Sequence, residues 1–333
     1  MSTFSPAIDA GRTAVVTGAA SGIGRAAARC FAELGMRVAA VDADQTGLAE
    51  TLAGLAGGGE GRHAAFAVDV ADRSMVEQLA RDVAARFGSV SVLMNNAGVG
   101  GGGDALSNPD GWTRVLSVNL LGVLHGVQAF ASAMADSGEP GHVINTGSKQ
   151  GITQPPGDTA YNVSKSAVKA LTEGLAHTLR NRPGCRVSAH LLIPGFTYTG
   201  MTARHAPEPP PGAWTPEQVV ERMLEGIGRG DFYILCQDNE TTLETDRRRI
   251  LWAAQDLTEN RAALSRWDPA WKEPFERFMA GGGNQAAVIS PPPRSSCALD
   301  DAARAGRTGW AGGAGRPLSP VRTWRADSRP RNS

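Results

Sequence analysis

Tyr161 and Lys165 stand four residues apart in Tyr161-Asn-Val-Ser-Lys165, at the start of a stretch with helical spacing, so both side chains share one helix face. A phenol with an ordinary pKa near ~10 shuttles protons poorly at neutral pH, but a neighbouring ammonium stabilises the phenolate and lowers that value. Ser148 lies 13 residues before Tyr161, just beyond a strand-like run. Its hydroxyl could hydrogen-bond a substrate oxygen while Tyr161 exchanges the proton. Asn119 falls in a helical stretch, where an amide is a disfavoured choice, so it is either satisfied in the core or holds a water for a relay.

A second set of residues suits a phosphate. Gly18-Ala-Ala-Ser21-Gly22-Ile23-Gly24 separates the apolar run Thr13 to Thr17 from a helical pattern. Glycine serves where the chain turns tightly and where a pyrophosphate must reach the peptide plane without meeting a Cβ atom. The helix that follows offers free N–H groups and the positive end of its dipole. The next strand-like run ends in Asp42, 18 residues beyond Gly24. A carboxylate there accepts hydrogen bonds from ribose hydroxyls and repels a 2′-phosphate, and neither Ser21 nor Ala43 supplies a cation to offset that. NAD(H) is therefore expected rather than NADP(H). The competing reading makes Asp42 a helix cap, a task that Asp44 could perform instead.

These residues need elements to hold them. Strand-like runs fall at 13–17, 37–41, 63–68, 91–94, 142–145, 186–193 and 232–235, and helical patterns at 22–35, 44–55, 72–87, 112–136, 159–181 and 215–228. Such alternation, with connections long enough for crossovers, predicts an α/β fold: a Rossmann-type, doubly wound parallel sheet of about seven strands with helices on both faces. Ligands of such sheets sit at the carboxyl ends of the strands. Residues 238–280 read as a C-terminal helical extension, in which Ile250, Leu251, Ala254 and Leu257 form the apolar stripe opposite a solvated arginine face. Trp252, Trp267, Trp271, Phe275 and Phe278 gather there as a satellite core, or as the wall of a pocket or a subunit contact.

The chain of 333 residues carries 33 basic and 33 acidic side chains, which argues against a general nucleic-acid binder. The balance hides an asymmetry, because residues 281–333 hold eight Arg, three Asp, eight Gly and six Pro. That composition buries too little to offset chain entropy and predicts a disordered or basic interaction tail behind a single domain over 1–280. Cys30, Cys185, Cys236 and Cys297 are scattered, so neither a disulfide framework nor a metal site is expected. No leader is evident, and no stretch approaches the ~18 apolar residues of a membrane span. The expectation is a protein of the reducing cytoplasm.

The glycine turn, Asp69-Val70, Asn95-Asn96-Ala97-Gly98, Asn119, Ser148, Tyr161-x-x-x-Lys165 and Pro194-Gly195-x-x-x-Thr199, in this order over residues 10–236, resemble the short-chain dehydrogenase/reductase family. The resemblance implies that Tyr161 is the general acid/base, that Lys165 lowers its pKa and holds the nicotinamide ribose, that Ser148 orients the carbonyl, and that Asn119 holds a relay water. It implies adenine contacts from Asp69 and Val70 and a cofactor trough lined by Asn96, Ala97 and Gly98. Pro194, Gly195, Thr197 and Thr199 would meet the nicotinamide carboxamide, with no metal required. The segment Asn145-Thr-Gly-Ser148-Lys-Gln departs from the paired serines of many relatives, and the chain runs on well past its last strand. Such proteins are commonly homodimers or homotetramers.

Substrate choice in this family rests with the loop after Thr199, which contains Met201, Arg204, His205 and Trp214, and with Gln150 to Asp158. Without a strong positive cluster, the expected substrate is an apolar or aromatic secondary alcohol or its ketone. A 3-oxoacyl-thioester reductase is the alternative, and a non-catalytic dinucleotide sensor the remote one.

Overall fold

Seven short strands hydrogen-bond side by side in parallel: β1 (Thr13–Thr17), β2 (Arg37–Asp42), β3 (Ala64–Ala67), β4 (Val92–Asn95), β5 (Gly141–Thr146), β6 (Val187–Ile193) and β7 (Tyr233–Leu235). Their order is β3-β2-β1-β4-β5-β6-β7, so the winding reverses between β1 and β4. The computed structural model describes residues 5–57, 61–200 and 208–281. The basic segment expected to be disordered lies outside them from 282 onward, as do Met201, Arg204 and His205.

Helices cover both faces because the strands are apolar on both. Ala14, Val16, Val38 and Ala40 point into one layer, with α1 (Gly22–Glu33), α2 (Gln45–Ala53) and α8 (Pro216–Arg229) above it. Val15, Ala39 and Val41 point the other way, onto α3 (Arg73–Phe87), α5 (Gly122–Asp136) and α7 (Thr159–Arg180). A period of two in a strand buried on both sides requires apolar residues at every position, which these runs supply.

The central helix differs from the sequence reading in two ways. It begins at Pro109, with Asn108 as its cap, and after α4 (Pro109–Leu116) it widens into a π turn over Ser117–Leu121 before α5 resumes. By length and composition Pro109–Asp136 could also cross a membrane, with a mean hydropathy of 1.4 over 18 residues, contrary to the expectation that no stretch comes near. Here its apolar residues Val123, Val127, Phe130 and Met134 are buried in the core.

The extension carries α9 (Leu243–Thr258), two 3₁₀ turns and α10 (Lys272–Met279). The expected stripe is wrong: Leu251 and Leu257 are 57% and 86% exposed, whereas Trp252 and Asp246 are buried. The buried face forms around Trp252 because it gathers partners that a hydropathy pattern does not register. Trp252 meets Trp271, Phe275 and Phe278 with ring centroids 6.2, 5.3 and 5.3 Å away, and the Arg261 guanidinium stacks 4.2 Å over it. Its indole N–H donates to Ser265 Oγ at 2.8 Å. The aromatic residues thus make a satellite core.

Candidate active site

The end of β1 is shaped by close approach. Gly18 and Gly22 have φ of 70° and 53°, and a Cβ on Gly18 would lie 2.8 Å from Ala97 Cα. A Cβ on Gly24 would collide with the Gly18 carbonyl, so the turn admits no side chain there. Ser21 sits at the N-cap of α1 but makes no capping bond with its side chain. The corresponding ends of α2, α3, α7, α8 and α9 are closed by Asp44, Asp72, Asp158, Thr215 and Thr242. The first turn of α1 is thus ready for an outside acceptor, and the cradle fits a pyrophosphate.

Asp42 ends β2 beside this turn. One carboxylate oxygen accepts the Ala20 N–H at 2.9 Å and the other the Asp44 N–H at 3.0 Å. The cap of α2 is Asp44, which accepts the Gly47 N–H at 3.1 Å, so the capping alternative for Asp42 falls away. The cation nearest the turn, Arg25, is held by Glu50, Thr51 and the carbonyls of Ala20 and Gly47. Asp69 accepts the Ala71 N–H at 2.9 Å, and the Val70 carbonyl accepts from His125 Nδ1 at 2.9 Å. After β4, Asn96 and Ala97 donate their backbone N–H groups to Thr17 Oγ1 at 2.9 and 3.1 Å. Gly98 faces both Asn119 Oδ1 and Lys165 Nζ, 3.4 and 3.6 Å from where its Cβ would stand.

The residues expected to move a proton converge next to this trough. Lys165 is 3% exposed, donates to the Thr146 carbonyl at 2.8 Å, and lies 5.7 Å from the centre of the Tyr161 ring. Burial lowers its ammonium to about 8. Contrary to the expectation of a phenol lowered by Lys165, burial pushes Tyr161 above its ordinary value; a hydrogen bond from Ser148 opposes that shift and the Asp158 carboxylate adds to it. Ser148 is half-buried just past β5, and its Oγ accepts the Gln150 N–H at 3.1 Å.

Asn119 lies in the π turn, fully buried, with its side chain already satisfied. Its Oδ1 accepts the Val99 N–H at 2.8 Å, and its Nδ2 donates to the Val99 carbonyl and Ser164 Oγ at 2.9 and 3.1 Å. Of the two readings open for a helical asparagine, the structure shows the first: the amide is satisfied within the protein, and it pins the loop after β4.

Asp158, Lys149 and Asp238 were missed by sequence reasoning. Asp158 caps α7 by accepting the Tyr161 N–H at 3.1 Å and also accepts from Gly101 N at 2.8 Å, tying the loop after β4 to the tyrosine. An aspartate three residues before a helical tyrosine was the available signal. Lys149 and Asp238 gave no local signal. Past β6, Gly195 backs onto the Asp238 carboxylate, and Phe196 and Tyr198 exchange backbone hydrogen bonds of 2.9 and 2.8 Å with Trp214. Thr197 therefore runs parallel to Trp214, and Thr199 reaches Gly22. The expected substrate-loop residue Trp214 thus belongs to the ladder that supports the Pro194 to Thr199 loop.

A family model described as short chain dehydrogenase matches residues 12–209. D-threitol dehydrogenase of Mycolicibacterium smegmatis is 41% identical over 180 residues, 54% of this chain and 68% of that protein. (3R)-3-hydroxyacyl-CoA dehydrogenase of Canis lupus familiaris is 36% identical over 225 residues, 65% and 82% of the two chains. Among solved structures, a short chain dehydrogenase/reductase from Burkholderia phymatum in complex with NAD has 34% identity and a TM-score of 0.68, covering 78% of this chain and 97% of its own.

Proposed function

The chain belongs to the short-chain dehydrogenase family, enzymes that oxidise and reduce hydroxyl and keto carbons with a nicotinamide dinucleotide, and from that membership we propose an NAD-dependent enzyme for an apolar or aromatic secondary alcohol and its ketone. The observation that carries this reading is the meeting of Tyr161, Ser148 and Lys165 beside a glycine cradle whose second strand ends in Asp42.

Gly18, Gly22 and Gly24 would leave room for the pyrophosphate, Asp42 would meet the adenosine ribose, and Asn96, Ala97 and Gly98 would line the trough. Asp69 and Val70 would contact the adenine, and Pro194, Gly195, Thr197 and Thr199 the carboxamide side. When bound, the dinucleotide supplies or accepts the hydride. Ser148 Oγ orients the carbonyl oxygen, and the Tyr161 hydroxyl gives that oxygen its proton in reduction and takes it back in oxidation. Lys165 would hold the nicotinamide ribose, and its ammonium beside the Tyr161 ring would offset part of the burial that disfavours the phenolate. Asn119 keeps the loop after β4 in place around them and supports the relay water. The enzyme works as a cytoplasmic homodimer or homotetramer.

The relationship to a hydroxyacyl-CoA dehydrogenase supports a second reading, 3-oxoacyl-thioester reduction. One experiment separates the two: absorbance of NADH or NADPH followed with aliphatic and aryl ketones and with a 3-oxoacyl-CoA. Turnover of NADH with aryl ketones is expected. Turnover confined to the thioester would replace the first reading by the second, and preference for NADPH would overturn the assignment of Asp42.

A further inference from the structure

The family match stops at residue 209, yet two carboxylates beyond it close on the residue next to Ser148. Lys149 Nζ lies 3.2 Å from Asp238 Oδ2 and 2.6 Å from Asp246 Oδ2, with side chains 16%, 16% and 5% exposed. Asp246 belongs to the first turn of α9, in the extension. Asp238 uses its other oxygen to accept the Phe196 N–H at 2.9 Å, and its carboxylate fills the place where any side chain at position 195 would go.

The backbone of Lys149 is equally engaged. Its N–H donates to the Pro194 carbonyl at 3.1 Å, and its own carbonyl accepts the N–H groups of Ile152 and Thr153, both at 3.0 Å, forming the short helix α6 (Gln150–Thr153). One lysine thus joins the segment of Ser148, the Pro194 to Thr199 loop and α9. Arg249, 3.9 Å from the second oxygen of Asp246, also faces the cluster.

Removing three charges from water is costly, so a buried cluster of this kind is weak evidence for added stability. What it provides is geometry, since Lys149 meets both carboxylates only where the three segments arrive together. We propose that Lys149, Asp238 and Asp246 form a positioning brace through which the C-terminal extension holds Ser148 and the Pro194 to Thr199 loop in register. None of the three touches substrate in this assignment; they are positioning residues, and the proposal rests on the dehydrogenase reading of the site.

The test uses the full chain with Lys149→Met, Lys149→Arg and Asp246→Asn. It has two readouts: steady-state kinetics with NADH and the best ketone, and hydrogen exchange of the peptide containing the Phe196 amide, which requires no turnover. For Lys149→Met a fall in kcat of about tenfold or more is expected, with KM for the ketone within about threefold, because small misplacements of a catalytic group cost rate rather than binding. Exchange at 194–200 should quicken about tenfold, reflecting a freed Phe196 N–H. Asp246→Asn should move both readouts the same way by less, and Lys149→Arg should recover most of the loss. Parent-like kcat and exchange in both Lys149→Met and Asp246→Asn would overturn the brace, and so would a kcat loss with unchanged exchange at 194–200. If Lys149→Met does not fold, the near-isosteric Asp246→Asn decides. Absence of turnover in the parent would defeat the dehydrogenase reading alone, and exchange would still decide the brace.

Discussion

The start of α1 and the buried side of α9 treat polar groups in opposite ways. Around α1 the first turn lacks a side-chain cap, and glycines keep the approach to it clear. Around α9 the charged groups close on one another: Asp246 and Asp238 on Lys149, and Asp256 on Ser265 and Arg261. A first turn left uncapped at one place and charges closed into ion pairs at the other separate a receptacle from a scaffold. Ligand binding should therefore respond to changes at the first, and stability and alignment to changes at the second.

The largest expected effect falls between the two regions. Tyr161→Phe should lower turnover by about a hundred- to ten-thousand-fold while NADH affinity, read by fluorescence titration, stays near the parent's. A variant that keeps turning over would remove Tyr161 from its role. Next comes Trp252→Ala, in the scaffold, which should cost about 3–5 kcal/mol in denaturant unfolding. Affinity for ADP, which probes the adenosine end alone, should stay within about twofold because the sites are independent. A large loss of ADP binding would break the contrast between the regions.

A third test uses a buried chain of side chains across β5 and β6. His190 Nδ1 must donate to the Asp231 carbonyl at 2.7 Å, which leaves its Nε2 to accept from His142 Nδ1 at 2.9 Å and His142 Nε2 to accept from Ser5 Oγ at 2.7 Å. This order requires both rings to be neutral. Burial, reinforced by the charge of His190, lowers His142 to about 3, and burial lowers His190 as well. Unfolded histidines bind protons near the ordinary value of 6.5, so the unfolded state gains protons first as pH falls. Stability should be intact above about pH 6.5 and decline by a few kcal/mol toward pH 3, more steeply than in His142→Gln, as denaturation midpoints across that range would reveal. The smallest effect sharpens the receptacle: Asp42→Ala should weaken NAD(H) about tenfold and narrow its advantage over NADP(H), read as the ratio of kcat/KM values. An unchanged ratio would move the ribose contact elsewhere.

Much of the site was legible because its signals are local. The turn from Gly18 to Gly24 and the four-residue spacing of Tyr161 and Lys165 need only the periods of a turn and a helix to acquire meaning. Asp44 and Asp42 stood as alternative caps in the sequence, and the structure gives the cap to Asp44. The apolar stripe of α9 misled because it assumed that a helix buries what is most apolar. Leu257 faces water while Asp246 is enclosed, since Lys149, almost a hundred residues earlier, supplies the counter-charge. The π turn at Asn119 was equally hidden, because the side-chain bonds to Val99 and Ser164 exist only after α7 has docked.

The sequence by itself determined the alternation of strand and helix, the glycine cradle, the shared helix face of Tyr161 and Lys165 and the family to which they belong. Each depends on residues within a few positions of one another, where backbone geometry sets the distances. Only the tertiary structure decided which carboxylates meet Lys149, which face of α9 is buried and how the two histidines share protons. Those outcomes depend on where distant segments of chain arrive, and a charge or ring takes its energy from whatever partner and dielectric it finds there.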